Sequence, residues 1–175
     1  LMTLNISGDS DVTIGNLNTA ENTDITIEST ANGDLDITTN TGTGDVILTA
    51  GDVDVTADTS NGTGDDTVTV GNGGHDIEVG TGKDIVTVGN TASSDWTKIS
   101  MSSTDSTTDD DTKTIVAGNG RVSIVGTASA EADGDGDYEV TVGNNIGTVA
   151  GIVTTNAGDD VIEVGDDDGT STGAG

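Results

Sequence analysis

The sequence has no cysteine and no phenylalanine, a single tryptophan (Trp96), a single tyrosine (Tyr138) and only four basic residues, Lys83, Lys98, Lys113 and Arg121. Without cysteine, neither disulfides nor thiolate chemistry can contribute. Without large aromatics, the buried side chains must be Val, Ile, Leu and Ala in thin layers. The apolar fraction of 30%, against about 45–50% in globular domains, argues against a broad core. Four scattered cations cannot make the clustered Lys and Arg surface that phosphate contacts require, which excludes nucleic acid as a partner. No stretch approaches the roughly 20 apolar residues of a membrane span, so direct membrane insertion is not expected. Windows with apolar residues at i, i+3, i+4 and i+7 are nearly absent, which leaves little room for helix.

What the chain does have is acid and glycine: 32 Asp and Glu, a formal net charge of −28, and 27 Gly in 175 residues. Such a charge opposes compaction unless it is neutralised. Counter-cations would do this, and an acidic solvated surface suited to high salt is the alternative. Short alternating runs recur along the chain, among them Leu4-Asn-Ile6, Val12-Thr-Ile14, Ile25-Thr-Ile27, Leu35-Asp-Ile37, Val68-Thr-Val70, Val86-Thr-Val88, Val122-Ser-Ile124 and Val140-Thr-Val142, with Gly, Asn and Asp between them. Runs this short fit a sandwich, a barrel or a solenoid. A sandwich needs longer strands with bulky inner faces, whereas a solenoid asks for only two inward residues per rung. The expectation is an all-β parallel β-solenoid of short strands and Gly/Asp-rich turns.

One ten-residue unit repeats most clearly. It reads Gly62-Thr-Gly64-Asp65-Asp66-Thr-Val68-Thr-Val70-Gly71, and again Gly80-Thr-Gly82-Lys83-Asp84-Ile-Val86-Thr-Val88-Gly89, so that position 84 follows position 66 by 18 residues. It returns as Asn156-Ala-Gly158-Asp159-Asp160-Val-Ile162-Glu-Val164-Gly165, and in contracted form as Asn72-Gly-Gly74-His75-Asp76-Ile-Glu-Val79-Gly80. Copies beginning at Gly42 and Gly134 keep the frame but carry Val46 and Tyr138 where the others have Asp66 and Asp84. A frame that persists without its carboxylate is architectural first, as drift between rungs of a solenoid allows.

These residues resemble the RTX nonapeptide family, whose Gly-Gly-x-Gly-x-Asp-x-(large apolar)-x repeat builds a calcium-loaded parallel β-roll. The resemblance covers residues 61–90, with one further copy at 156–165, and implies that Asp66 and Asp84 are calcium ligands one 18-residue turn apart, with Asp76 at the opposite edge. Chemistry agrees with the implication. Calcium takes six to eight oxygens from carboxylates and carbonyls, and the glycines can adopt the φ > 0 conformations that aim carbonyls inward. The candidate metal set is therefore Gly62, Gly64, Asp65, Asp66, Gly74, Asp76, Gly80, Gly82, Asp84, Asp159 and Asp160. A separate cation site is expected at the Asp133-Gly-Asp135-Gly-Asp137 cluster, which resembles the start of an EF-hand loop without its closing Glu.

The chain divides on composition into β-helix-like rungs at 1–60, an RTX-like β-roll at 61–90, a surface loop or insertion at 91–113 (a linker between two stacks being the alternative), further rungs at 114–165, and a flexible tail at 166–175. The rungs of the first part look like those of metal-free β-helices in bacterial surface-layer and other surface proteins. The chain begins at Leu1-Met2 without a basic n-region or an apolar h-region, so any secretion signal is expected to have been removed, to lie elsewhere or never to have been N-terminal, and the chain reads as a fragment or processed form. His75, the only histidine, is expected to face solvent in a turn. Trp96 reads as a packing plug or, less favourably, a sugar platform. Acidic pairs in Gly-rich turns lack the apolar, concave surroundings that tune a carboxyl for acid work, so the chain does not read as an enzyme. The function expected is that of a secreted or cell-surface structural protein: a calcium-stabilised segment of a surface layer, matrix filament or adhesin that associates with itself or with other surface components. The alternative is an RTX-type module that drives folding of a larger exported protein. An ice-binding face, suggested by Thr67-x-Thr69 and Thr87, lacks a sustained threonine ladder.

Overall fold

The computed structural model describes residues 1–92, 94–103, 112–128, 137–144, 152–155 and 160–165. Among the described residues, fifteen strands, numbered along the chain, wind into two all-parallel sheets. The odd strands stack in order as one eight-stranded sheet: β1 (Met2–Ile6), β3 (Ile25–Ser29), β5 (Val46–Ala50), β7 (Thr67–Val70), β9 (Ile85–Val88), β11 (Lys113–Ala117), β13 (Tyr138–Val142) and β15 (Val161–Val164). The even strands form the facing seven-stranded sheet: β2 (Val12–Asn18), β4 (Leu35–Asn40), β6 (Val55–Asp58), β8 (His75–Val79), β10 (Thr97–Ser103), β12 (Val122–Ala128) and β14 (Ile152–Thr154). Each strand pairs with the one two places further along the chain. That is the connectivity of a parallel β-solenoid.

Period-2 alternation makes these segments strands: one set of side chains points in and the other out. In the first sheet the inward column runs Leu4, Ile27, Leu48, Val68, Val86, Ile115, Val140, Ile162. The second sheet supplies Ile14, Ile37, Ala57, Ile77, Ile99, Ile124, Val153. Apart from the exposed Ile162, these residues form one core or pack against it, and the members between the terminal rungs are at most 1% exposed. Each fully buried Val, Ile or Leu contributes roughly 1.5–3 kcal/mol, so the stack is held by repetition of a small term. The longer strands send in three residues rather than the expected two, for example Val46, Leu48 and Ala50 of β5.

The stretch 91–113, expected to be a loop or insertion, instead contains strand β10, and its last residue, Lys113, begins β11. In β10 the inward residues are Thr97, Ile99 and Met101, all buried. Only two of these three are apolar, so the Ser/Thr-rich sequence masks the pattern. The rungs are also unequal in length. Thr67 pairs with Ile85, a step of 18, and Ile85 pairs with Thr114, a step of 29. Register is kept across rungs of such different length, because a rung contacts only its neighbours. Ladder pairing runs without interruption from β5 to β7, across the expected boundary at residue 60. The expected tail, 166–175, lies outside the described residues.

Candidate cation-binding turns

The position just before or at the start of each odd strand forms one vertical column. Extending the strand register by one residue stacks Ile25, Val46, Asp66, Asp84, Lys113, Tyr138 and Asp160 in order. The frame read from the sequence is thus a structural column, which holds both its carboxylate and its non-carboxylate versions. Two members carry no trace of the repeat in their own sequence: Ile25, and Lys113, which stacks between Asp84 and Tyr138.

Asp84 and Lys113 are 0% and 1% exposed in their side chains, and form an ion pair at 2.6 Å. The Lys113 ammonium donates to Asp84 Oδ2 at 2.6 Å, to the Gly82 carbonyl oxygen at 2.6 Å and to the Gly80 carbonyl oxygen at 3.0 Å. Asp84 Oδ1 accepts from the Asp66 backbone N–H at 2.9 Å. One rung below, Asp66 Oδ1 accepts from the Val46 N–H at 2.9 Å, but its buried Oδ2 makes no hydrogen bond. The Thr59 hydroxyl, which also acts on Asp66, donates to the Glu78 carbonyl oxygen at 3.4 Å.

Burial raises both carboxyls. Asp66 is pushed up to about 7, with the Thr59 hydroxyl and the Val46 N–H pulling it back and Asp84 and Asp45 adding to the rise. Asp84 reaches about 6 by the same desolvation, opposed by the Lys113 ammonium, and so stays ionised at neutral pH. A carboxyl whose folded value lies above its unfolded value contributes stability that is fully present below pH 3.8 and is lost as pH rises through the folded value. His75, whose imidazole burial holds below its usual value, acts in the opposite sense, losing stability as pH falls below about 6.5. Comparing wild type with Asp66→Asn in EDTA separates the two. Between pH 8 and pH 4 the wild type should gain roughly 2–4 kcal/mol relative to the variant, measured by urea unfolding. A gap that stays constant over that range would show that Asp66 is not desolvated.

The expected calcium set can be tested oxygen by oxygen. At Gly80, Gly82 and Asp84 the residues do not fit a metal ion, because all three oxygens already hold an ammonium. At the turn of Gly62, Gly64 and Asp66, the buried Asp66 oxygen without a partner is compatible with a cation. Asp65 is exposed, and its Oδ1 accepts from the Lys83 N–H at 2.9 Å. Asp76 is not in a turn: it points outward from β8 and lies 3.7 Å from the Lys98 ammonium. Gly74 donates its N–H to Asp54 Oδ1 at 2.7 Å. Asp137 accepts the Lys113 backbone N–H on its carbonyl at 2.9 Å, and Asp160 Oδ1 accepts from the Tyr138 N–H at 3.1 Å. Asp133, Asp135 and Asp159 lie outside the described residues. Among the described residues, no three His, Cys, Asp or Glu side chains converge as a metal centre would require.

His75 does not face solvent as expected. It is 2% exposed, in the inward position where the rungs below and above have Val55 and Thr97, and its Nε2 lies 3.0 Å from the Gly71 carbonyl oxygen. The contracted copy is one residue short, and a one-residue slip exchanges the two faces of a strand, so His75 turns in and Asp76 turns out. Trp96 is half-buried with the Arg121 guanidinium 4.2 Å from its ring centre, which favours packing over a free sugar platform.

The acidic turns have a use that sequence reasoning misses. Asp24, Asp45 and Asp65 each accept, on Oδ1, the backbone N–H one rung on, ending at Lys83. Asp11, Asp34 and Asp54 do the same, ending at Gly74. A third ladder runs through Asp52, Asn72, Asn90 and Asn119 to Asn144, with bonds of 2.7–2.8 Å. It follows a column of glycines, Gly51, Gly71, Gly89, Gly118 and Gly143, whose backbones stack so closely that a Cβ on the last four would come within about 3 Å of the glycine below. The signal is present as Gly-Asx after the last inward Val or Ala of each odd strand from β5 to β13. No family model matches the chain, and comparison with curated proteins and with solved structures found no match.

Proposed function

We propose that this chain is a structural segment of an extracellular protein, a stiff solenoid section of a surface layer, matrix filament or adhesin that is stabilised by cations, with calcium the expected ion. The observation that carries this reading is the continuity of the ladders. Core columns, glycine columns and Asx ladders run through successive rungs, so the polar groups of the turns are engaged in stacking one rung on the next. A linear stack of this kind transmits load and presents repeated faces. His75 supports a non-enzymatic role, since its ring is packed in the core.

Calcium is supported by charge and by one atom. Stacked carboxylates such as Asp24, Asp45 and Asp65 repeat at the strand spacing of about 4.8 Å, where like charges repel, and the whole chain carries −28. Asp66 Oδ2 is a buried oxygen that would gain from a cation. Bound ions would stabilise the fold by RT ln(1 + [Ca]/Kd) per site, so a chain poor in calcium before export would fold after it.

The test is circular dichroism with light scattering during calcium titration of EDTA-treated protein, with magnesium and high NaCl as controls. A calcium-specific gain of β signal with growth in particle size is the expected result for a self-assembling surface protein. The same gain without growth would favour an RTX-type folding module. Folding restored by NaCl alone would overturn the calcium reading and leave an acidic solenoid adapted to salt.

A further inference from the structure

The Gly80–Asp84 turn presents two carbonyl oxygens and a carboxylate oxygen to one point, an all-oxygen donor set of the kind that holds hard cations. At that point lies the Lys113 ammonium, at 3.0, 2.6 and 2.6 Å from them. A lysine ammonium has three N–H donors and no acceptor, and here each donor has one acceptor. The lysine arrives from the next rung, 29 residues beyond Asp84. It is held in register by the Thr114 N–H, which donates to the Asp84 carbonyl oxygen, and by its own N–H, which donates to the Asp137 carbonyl oxygen, both at 2.9 Å. The rung below is an internal comparison. Asp66 is built on the same Gly-x-Gly-x-Asp frame, but its column neighbour above is Asp84 rather than a lysine, and its Oδ2 has no hydrogen-bond partner. The turn alone therefore does not satisfy its carboxylate; the lysine does.

We propose that Lys113 is the resident cation of the Gly80–Asp84 turn, so that this rung is neutralised from within the chain. Shortening the side chain would then open a site for a free primary ammonium or a metal ion. Alanine at position 113 keeps Cβ and removes three carbons and the nitrogen, which is the outline of propylammonium. Buried ion pairs are strongly destabilised when one partner is lost, so Lys113→Ala should melt about 10 °C below wild type in low salt with EDTA.

Propylammonium at millimolar concentration should recover most of that loss in Lys113→Ala and none in wild type. Tetramethylammonium, which has no N–H to donate, should not. Sodium and calcium, tested singly, would show whether the opened cage also takes a metal. The double variant Lys113→Ala/Asp84→Asn, which lacks the carboxylate charge, should lose the response. If Lys113→Ala does not fold, recovery of its β signal by the same additions is the readout. An unchanged melt, or a loss that no ammonium or metal ion recovers in either assay, would overturn the proposal and leave Lys113 as ordinary packing.

Discussion

Replacing Asp84 with alanine lowers the free energy of unfolding by about 3–5 kcal/mol, because it leaves the Lys113 ammonium buried with two carbonyls and no counter-charge. The Asp66 N–H, which Asp84 Oδ1 accepts at 2.9 Å, loses its acceptor as well. Asp65→Ala is the comparison, since Asp65 is adjacent in sequence to the column, likewise an aspartate and part of a ladder, but exposed. Its loss removes one exposed hydrogen bond and some repulsion, and should cost about 1 kcal/mol or less. Equilibrium urea unfolding of the two variants at pH 7.5 checks the prediction. Equal effects would mean that Asp84 is solvated and that the buried ion pair does not exist. The double replacement Asp84→Leu/Lys113→Met should be closer to wild type than either single change, since a buried pair can often be exchanged for apolar packing at little cost.

A comparable loss is expected from a single added methyl group at Gly82. This residue sits at φ +118°, where L side chains are strained, and a Cβ there would overlap the Gly64 carbonyl oxygen of the rung below. Neither contact can relax alone, because the Gly82 carbonyl oxygen also accepts from Lys113. Gly82→Ala should therefore cost about 3 kcal/mol or more, from backbone strain and overpacking together. Gly15→Ala changes a glycine of β2 that has no positive φ and where a Cβ would meet nothing within 4 Å, so it should stay within about 0.5 kcal/mol of wild type. A thermal melt of each variant is sufficient. If Gly82→Ala melts with Gly15→Ala, the rungs do not stack as closely at this turn as the register requires.

Much of this architecture is legible in one dimension. The alternation of Val and Ile with Thr and Asp, punctuated by glycine, identifies strands, and the shortness of the runs favours a solenoid over a sandwich. Aligning Val46, Asp66, Asp84, Tyr138 and Asp160 on a common frame places five residues that share one column. The same alignment misjudges His75 and Asp76, because a frame one residue short does not say which face absorbs the slip. It also passes over Lys113, which has no Gly-x-Gly before it and follows a run of Ser, Thr and Asp. The Asx ladders are in plain view as Gly-Asp and Gly-Asn pairs, but their regular recurrence has meaning only once the rungs are stacked.

The all-β character, the parallel solenoid and the aliphatic columns follow from the order of residues alone, since alternation and turn chemistry act over a few neighbouring positions. Which residue lies above which is settled only when the chain is wound. That depends on the lengths of the intervening turns, with rung steps as different as 18 and 29 residues, and a stacking contact is made across all of them. The Asp84 cage follows from that difference. Its acceptors are written in a local motif, and its cation comes from the next rung, where no local signal marks it.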